Sequence, residues 1–135
     1  MGFNILIVDD SKVTRIMIKR TLKLTGIPVG SLHEAENGQV ALEEMKTNKI
    51  DLVLADINMP VMDGMAMIAQ MKADPELASV PVIVISTEGS STRIEELRSK
   101  GVAGYVRKPF TPEDVRDTLR QVVGDWDDEA RDRSA

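Results

Sequence analysis

Five polar residues of this 135-residue chain follow short apolar segments, in positions where they could do chemistry together. Asp56 ends the apolar run of residues 50–55 and precedes a loop that contains Pro60 and Gly64. A carboxylate at the tip of a buried strand costs solvation free energy unless it has partners. Three carboxylates, a hydroxyl and an ammonium group are suited to binding a metal ion and accepting a phosphoryl group. The residues that could supply partners for Asp56 are Asp9, Asp10, Ser86 and Lys108.

Short β-rich apolar segments alternate with helical patterns, which predicts an α/β fold with a parallel sheet covered by helices. The predicted strands are residues 3–8, 31–35, 51–55, 82–85 and 103–106. Helix one is predicted at about residues 11–24, and helix five begins at a Thr111 cap followed by Pro112. We expect helix one to bury Val13, Ile16, Met17, Leu22 and Leu24. We expect helix five to bury Val115, Leu119, Val122 and Val123.

The predicted topology brings the five polar residues together. Right-handed crossovers make all strands of such a sheet point the same way, and ligands bind at the shared carboxyl edge. Three carboxylates in one cleft repel one another, and Mg²⁺, which prefers oxygen ligands, resolves the conflict. Each residue also has an ordinary interpretation: an N-cap for Asp9 and Asp10, a local hydroxyl for Ser86, and a solvated side chain for Lys108. Their common position on one edge favours a site.

The composition limits the class of protein. With 42% hydrophobic and 29% charged residues, the chain is typical of a globular protein. We predict one domain over residues 1–124 and a charged, flexible tail over residues 125–135. No cysteine is present, which excludes disulfides and thiolate metal sites, and a formal net charge of −5 argues against nucleic-acid binding. No apolar run could span a membrane and no signal peptide is evident, so we expect a cytoplasmic location and no membrane partner.

Taken together, the motifs resemble the receiver domain of bacterial response regulators. The similarity covers residues 3 to about 123 and is greatest to the single-domain chemotaxis regulators. It implies a doubly wound, flavodoxin-like (βα)5 fold with five parallel strands in the order 2-1-3-4-5. The residues that carry the resemblance are Asp9-Asp10 after an apolar strand, Asp56-Ile57-Asn58-Met59-Pro60-Val61-Met62-Asp63-Gly64, Ser86 after residues 82–85, and Lys108-Pro109-Phe110.

The resemblance also implies a role for each residue of the acidic site. Asp56 would accept a phosphoryl group from the phosphohistidine of a histidine kinase or phosphotransfer protein. Asp10, Asp56 and the backbone carbonyl of Asn58 would bind Mg²⁺, and Asp9 would hold a metal-bound water. Lys108 would pair with the phosphoryl oxygens.

Further implied roles concern signalling. Ser86 would hydrogen-bond a phosphoryl oxygen and Tyr105 would move inward with it, which would change the binding of a downstream protein on the face made by helix four, strand five and helix five. The resemblance implies a stand-alone, monomeric switch that dimerises weakly when phosphorylated. Such a protein phosphorylates and dephosphorylates itself and is not a turnover enzyme.

Three positions are expected to modulate this chemistry. Thr87 follows the switch hydroxyl, where the family usually has a small residue, and it could slow the entry of phosphodonor or water. It also places two hydroxyls side by side, so that the switch role could fall on either. Asn58 and Glu88 stand two residues after the acceptor and the switch hydroxyl, as in chemotaxis regulators, which implies a short-lived phosphate.

Two other functions share part of this pattern. A phosphohydrolase with an aspartyl-phosphate intermediate would also use Asp56 and Mg²⁺, but it would need an acid/base carboxylate where Asn58 stands. A binding module that is never phosphorylated would not need the full set of residues.

Away from the site, we interpret His33 as a surface residue. Trp126 either docks on helix five or contacts a partner, and docking is favoured.

Overall fold

A computed structural model describes residues 2–87, 89–124 and 126 of the chain. Within these residues, five strands alternate with five helices. The strands are β1 (Phe3–Val8), β2 (Val29–Ala35), β3 (Leu52–Ala55), β4 (Val82–Ser86) and β5 (Gly104–Arg107). The helices are α1 (Lys12–Thr25), α2 (Gly38–Thr47), α3 (Gly64–Ala73), α4 (Ser91–Ser99) and α5 (Pro112–Val123).

All strands belong to one parallel sheet in the order β2-β1-β3-β4-β5. This confirms the predicted α/β class and the strand order that the resemblance implied. Val8 pairs with Ala55, and Ala55 pairs with Val84. The carboxyl ends of β1, β3 and β4 therefore lie side by side at one edge of the sheet.

Separate apolar clusters cover the two faces of the sheet. One cluster lies beneath α2, α3 and α4, and the other lies beneath α1 and α5. All four residues of β3 are buried, which is why its sequence is continuously apolar rather than alternating. Among the described helices, none is long and apolar enough to cross a lipid bilayer.

The buried face of α1 differs from the prediction. Ile18, Leu22 and Thr25 face the core. Of the five residues expected there, only Leu22 is buried, because the prediction combined two different helical stripes. We call the exposed set the outward stripe of α1: it consists of Val13, Ile16, Met17 and Leu24, whose exposed fractions are 67%, 41%, 54% and 68%.

Helix α5 follows the prediction closely. The Thr111 hydroxyl accepts a hydrogen bond from the Asp114 backbone N–H, and the Asp114 carboxylate accepts one from the Thr111 N–H, which forms a capping box. Val115 and Leu119 are buried, as expected. Val122 and Val123 are half-buried and pack against the same cluster.

Trp126 is packed against the domain. It is only 3% exposed and belongs to the apolar cluster beneath α1 and α5. The guanidinium carbon of Arg120 lies 5.3 Å from the centre of its ring, in agreement with docking on α5. Its Nε1 lies 3.8 Å from the position that a Cβ on Gly26 would occupy, so it also reaches the end of α1. The rest of the predicted tail lies outside the described residues.

Candidate functional site

Two carboxylates and one lysine meet at the carboxyl edge of the sheet. Asp9 follows the last residue of β1, and Asp56 follows the last residue of β3. Lys108 follows β5, and its Nζ lies 3.1 Å from Asp9 Oδ2 and 3.0 Å from Asp56 Oδ2. The three side chains are 18% (Lys108), 2% (Asp9) and 13% (Asp56) exposed, so they interact with little screening by water.

Burial and hydrogen bonding shift the protonation of two of these groups. Burial raises the pKa of Asp9, and hydrogen bonds from the Ser11 N–H and from Lys108 only partly offset that effect. Burial alone would lower the pKa of Lys108, but its hydrogen bonds to Asp56 and Asp9 outweigh burial and raise it. The charged form of Lys108 is therefore favoured, while burial disfavours the ionised form of Asp9.

The Asp56 carboxylate is oriented from both sides. Its Oδ1 accepts hydrogen bonds from the backbone N–H of Ile57 at 2.6 Å and of Asn58 at 3.3 Å, while Oδ2 faces Lys108. Gly64 closes the loop, because its N–H donates to the Ile57 carbonyl at 2.8 Å. A Cβ at position 64 would lie 2.5 Å from the Asp56 carbonyl oxygen, so only glycine fits there.

Ser86 lies on β4, which is next to the strand that precedes Asp56, and Tyr105 lies on β5, one strand further along the sheet. Ser86 is the fully buried last residue of β4, and its carbonyl accepts a hydrogen bond from the Lys108 N–H at 2.8 Å. Thr87, directly after it, is exposed. Tyr105 is half-buried against the cluster beneath α2, α3 and α4. Glu88 lies outside the described residues.

The start of α1 separates Asp9 from Asp10. The N-cap of α1 is Ser11, whose hydroxyl accepts from the Thr14 N–H, so neither aspartate is the cap. Asp9 Oδ1 instead accepts from the Ser11 N–H at 2.8 Å, and Asp10 is exposed beside it. Asp9 is thus tied to the first turn of α1, while Asp10 is available to solvent and ions.

The donor set suits a hard divalent cation. In the described part of the chain, no three acidic or histidine side chains already converge as a metal site. Mg²⁺, however, typically uses only one or two carboxylates and completes its shell with waters and phosphate oxygens. Asp9 and Asp56 share one cationic partner, and Asp10 is adjacent in the sequence. These residues therefore fit Mg²⁺.

Sequence reasoning missed an apolar cavity beside Lys108. Its volume is about 280 Å³, and it lies between α1 and the segment that follows β5. Met17 belongs both to this cavity and to the outward stripe of α1, so the stripe continues to the rim of the site. A signal for this surface was present, because α1 carries more apolar residues than one buried face can hold. The cavity is lined by Thr14, Met17, Thr87, Lys108, Pro109 and Phe110.

Fold and site together define a doubly wound α/β domain with a lysine-bridged pair of carboxylates at its carboxyl edge. The response regulator receiver domain model matches residues 5–120. The chain belongs to the receiver domain family of response regulators, which are signalling proteins of two-component systems.

Individual relatives are chemotaxis proteins. The chain is 37% identical over 121 residues to chemotaxis protein CheY1 of Helicobacter pylori strain J99. The matched residues cover 89% of this chain and 96% of that protein. Its structure is similar to that of the chemotaxis response regulator CheY4 of Vibrio cholerae, with a TM-score of 0.81 and 30% identity over 91% of this chain and 100% of that one.

A more distant neighbour is described with a metal ion. It is the receiver domain of sensor histidine kinase PA1611 from Pseudomonas aeruginosa, with a magnesium ion coordinated in its active site cleft. The TM-score is 0.80 and the identity is 24%, over 93% of this chain and 100% of that one. At this identity the likeness concerns the fold alone.

Proposed function

We propose that this protein is a CheY-like phosphorylation switch that accepts a phosphoryl group on Asp56 from a histidine kinase or phosphotransfer protein. The observation that carries the proposal is the position of Lys108 Nζ, within 3.1 Å of both Asp9 and Asp56 at the carboxyl edge of the sheet. A pre-formed acidic pair with a lysine counter-charge suits phosphoryl transfer, which depends mainly on positioning and charge neutralisation.

The transfer forms one bond to phosphorus and breaks another. A carboxylate oxygen of Asp56 attacks the phosphorus, the bond from phosphorus to the imidazole nitrogen breaks, and that nitrogen keeps the electron pair. Hydrogen bonds from the N–H groups of Ile57 and Asn58 orient the carboxylate for the attack. Lys108, already bonded to Asp56, pairs with the phosphoryl oxygens as negative charge accumulates.

We propose Asp10, Asp56 and the backbone carbonyl of Asn58 as the Mg²⁺ ligands, with Asp9 holding a metal-bound water. When bound there, Mg²⁺ would neutralise the charge that the carboxylates and the phosphoryl group bring together. The exposed Asp10 can turn toward an ion without losing a hydrogen bond within the described protein. A cation near the buried Asp9 would favour its ionised form, which burial disfavours.

Phosphorylation would then change the α4–β5–α5 face. Ser86 is buried at the end of β4, next to the acceptor strand, and Tyr105 lies opposite Val84 on β5. We propose that a phosphoryl oxygen draws Ser86 toward it and that Tyr105 moves inward, which alters the surface presented to a downstream protein. Moving such an equilibrium from 1:99 to 99:1 takes roughly 5.5 kcal/mol of differential binding.

The phosphodonor would dock on α1. The outward stripe offers an unpaired apolar surface that leads into the cavity beside Lys108. Lys12, Arg20 and Lys23 are exposed on the same helix, and α1 carries no acidic residue. A helix with apolar and acidic residues near its phosphohistidine would match this surface.

By resemblance, Asn58 and Glu88 would then make the phosphate short-lived, and Thr87 would moderate access.

The test is the reaction with acetyl phosphate and Mg²⁺, followed by intact-protein mass spectrometry. We expect the mass of one phosphate to be added to the protein and to be absent from Asp56→Asn. Asp74→Asn makes the same chemical change at the C-cap of α3, at the opposite edge of the sheet, and serves as the control. A phosphate gain that persists in Asp56→Asn would refute the assignment, as would a wild-type protein that takes up none.

A further inference from the structure

A second basic side chain, Arg107, lies beside the site. It is the last residue of β5, directly before Lys108, and it pairs in register with Ser86 of β4. Because it pairs with Ser86, Arg107 lies beside the end of β4 that carries the candidate switch hydroxyl, but it is not one of the proposed site residues.

The guanidinium group of Arg107 packs against the backbone of the loop between β4 and α4. A Cβ atom on Gly89 would lie 2.6 Å from both Cζ and Nε of Arg107 and 2.9 Å from Nη1. Real Cβ atoms do not come so close to other atoms, so the guanidinium occupies the space that any larger residue at position 89 would need. A larger residue at position 89 would push the flexible end of the Arg107 side chain out of this contact.

Two contacts of this loop come from consecutive residues, Arg107 at the end of β5 and Lys108 directly after it. At its start, the Ser86 carbonyl accepts a hydrogen bond from the Lys108 N–H at 2.8 Å. Three residues later, the Arg107 side chain lies across Gly89, next to Ser90, the N-cap of α4. Thr87 lies between these two points. A backbone contact at Ser86 and a side-chain contact at Gly89 therefore flank Thr87 in the sequence.

We propose that Arg107 is a positioning residue of the phosphorylation site: its guanidinium, packed on Gly89, fixes the β4–α4 loop and with it the place of Ser86 and Thr87 relative to Asp56. The inference rests on the proposed function and adds a residue to it. Small errors in the placement of groups around a reacting centre cost large factors in rate. A planar guanidinium can lie flat on a backbone, whereas a lysine ammonium cannot.

The test compares the rates at which acetyl phosphate, with acetate as leaving group, phosphorylates Asp56 at saturating Mg²⁺. We expect Arg107→Ala to lower the maximal rate about tenfold with an unchanged melting temperature and unchanged Mg²⁺ affinity. Gly89→Ala keeps the charge but displaces the guanidinium, and it should give the same loss. The double variant should lose no more than either single variant, because both remove one contact.

Two further variants separate positioning from charge. Arg98→Ala removes an exposed arginine from α4 and should leave the rate unchanged. Arg107→Lys keeps the charge but lacks the planar group, so it should show most of the loss in rate that Arg107→Ala shows. A wild-type rate in Arg107→Ala, or multiplying losses in the double variant, would overturn the inference. Failure of the wild-type protein to take up phosphate would instead overturn the proposed function.

Discussion

Helices α1 and α5 pack against the same face of the sheet, yet they use their apolar residues differently. Helix α5 turns its apolar residues toward the core, with Val115 and Leu119 buried. Helix α1 buries Ile18, Leu22 and Thr25 and leaves the outward stripe in solvent. Four of the six large apolar residues that are exposed in the described part of the chain lie on α1.

The difference indicates two tasks for one layer of the fold. Helix α5 packs its apolar residues against the core and thereby stabilises the fold, as surface helices usually do. Helix α1 carries a second apolar surface that is exposed to solvent and continues into the cavity beside Lys108. Exposed apolar patches of this kind typically mark contact surfaces. The helix that begins directly after Asp9 is therefore the better candidate for meeting a phosphodonor.

Substitutions of two leucines, the buried Leu22 and the exposed Leu24, distinguish the two faces of α1. Leu22→Ala should destabilise the protein by about 3 kcal/mol, because Leu22 is fully buried, and Leu119→Ala on α5 should cost a similar amount. Leu24→Ala, only two residues away, should change the free energy of unfolding by less than about 0.5 kcal/mol. Urea unfolding measures all three. Equal losses for Leu22→Ala and Leu24→Ala would break the comparison.

Substitutions of Trp126 test whether its packing against the ends of α1 and α5 stabilises the domain. Trp126→Ala should destabilise the domain by about 3 kcal/mol, because it removes a large buried aromatic side chain from the apolar cluster. Trp126→Phe keeps most of the apolar contact and should cost less. Thermal unfolding followed by circular dichroism provides the comparison, and an unchanged melting temperature in Trp126→Ala would show that the packing contributes little.

The outward stripe should affect phosphotransfer and not folding. Met17→Gln combined with Leu24→Gln should leave the melting temperature unchanged but slow phosphotransfer from a phosphorylated histidine kinase about tenfold, or roughly 1.4 kcal/mol. The rate with acetyl phosphate should not change, because that donor needs no docking surface. Val29→Gln, an exposed apolar residue on β2, is the control. An equal slowing with both donors would instead indicate a distorted site.

The junctions before α1 and α5 should respond oppositely to pH. Burial raises the pKa of Asp9 above its ordinary value of 3.8, so its ionised form weakens the metal-free protein at neutral pH. Asp9→Asn should therefore stabilise the protein in EDTA by about 1 kcal/mol at pH 7, and this gain should vanish as the pH falls toward 3.8.

The contribution of Lys108 to stability depends on pH in the opposite way. Burial would lower its pKa, but hydrogen bonds to Asp56 and Asp9 raise it above 10.5, so its stabilising effect is complete below pH 10.5 and is lost at higher pH. Denaturant titrations of wild-type protein and Asp9→Asn between pH 4 and 11 measure both effects. A gain from Asp9→Asn that is independent of pH would contradict the charge argument.

Particular elements explain how far the sequence could be interpreted. Helix α5 was predictable because its cap, its N1 proline and its apolar residues all agree. Helix α1 was not, because its apolar residues fit two stripes and hydrophobic periodicity alone does not say which faces the sheet. The contact between Arg107 and Gly89 had no signal at all, since it joins residues of two different elements.

The amino-acid sequence by itself determined the α/β class, the five strands and the polar residues at their ends, because each is encoded locally by an apolar run and the residue that follows it. Only the tertiary structure decided which carboxylates share Lys108, which face of α1 is buried and where Trp126 packs. These outcomes depend on the register of neighbouring strands and on the direction from which a helix approaches the sheet. Both are set by packing across the whole domain.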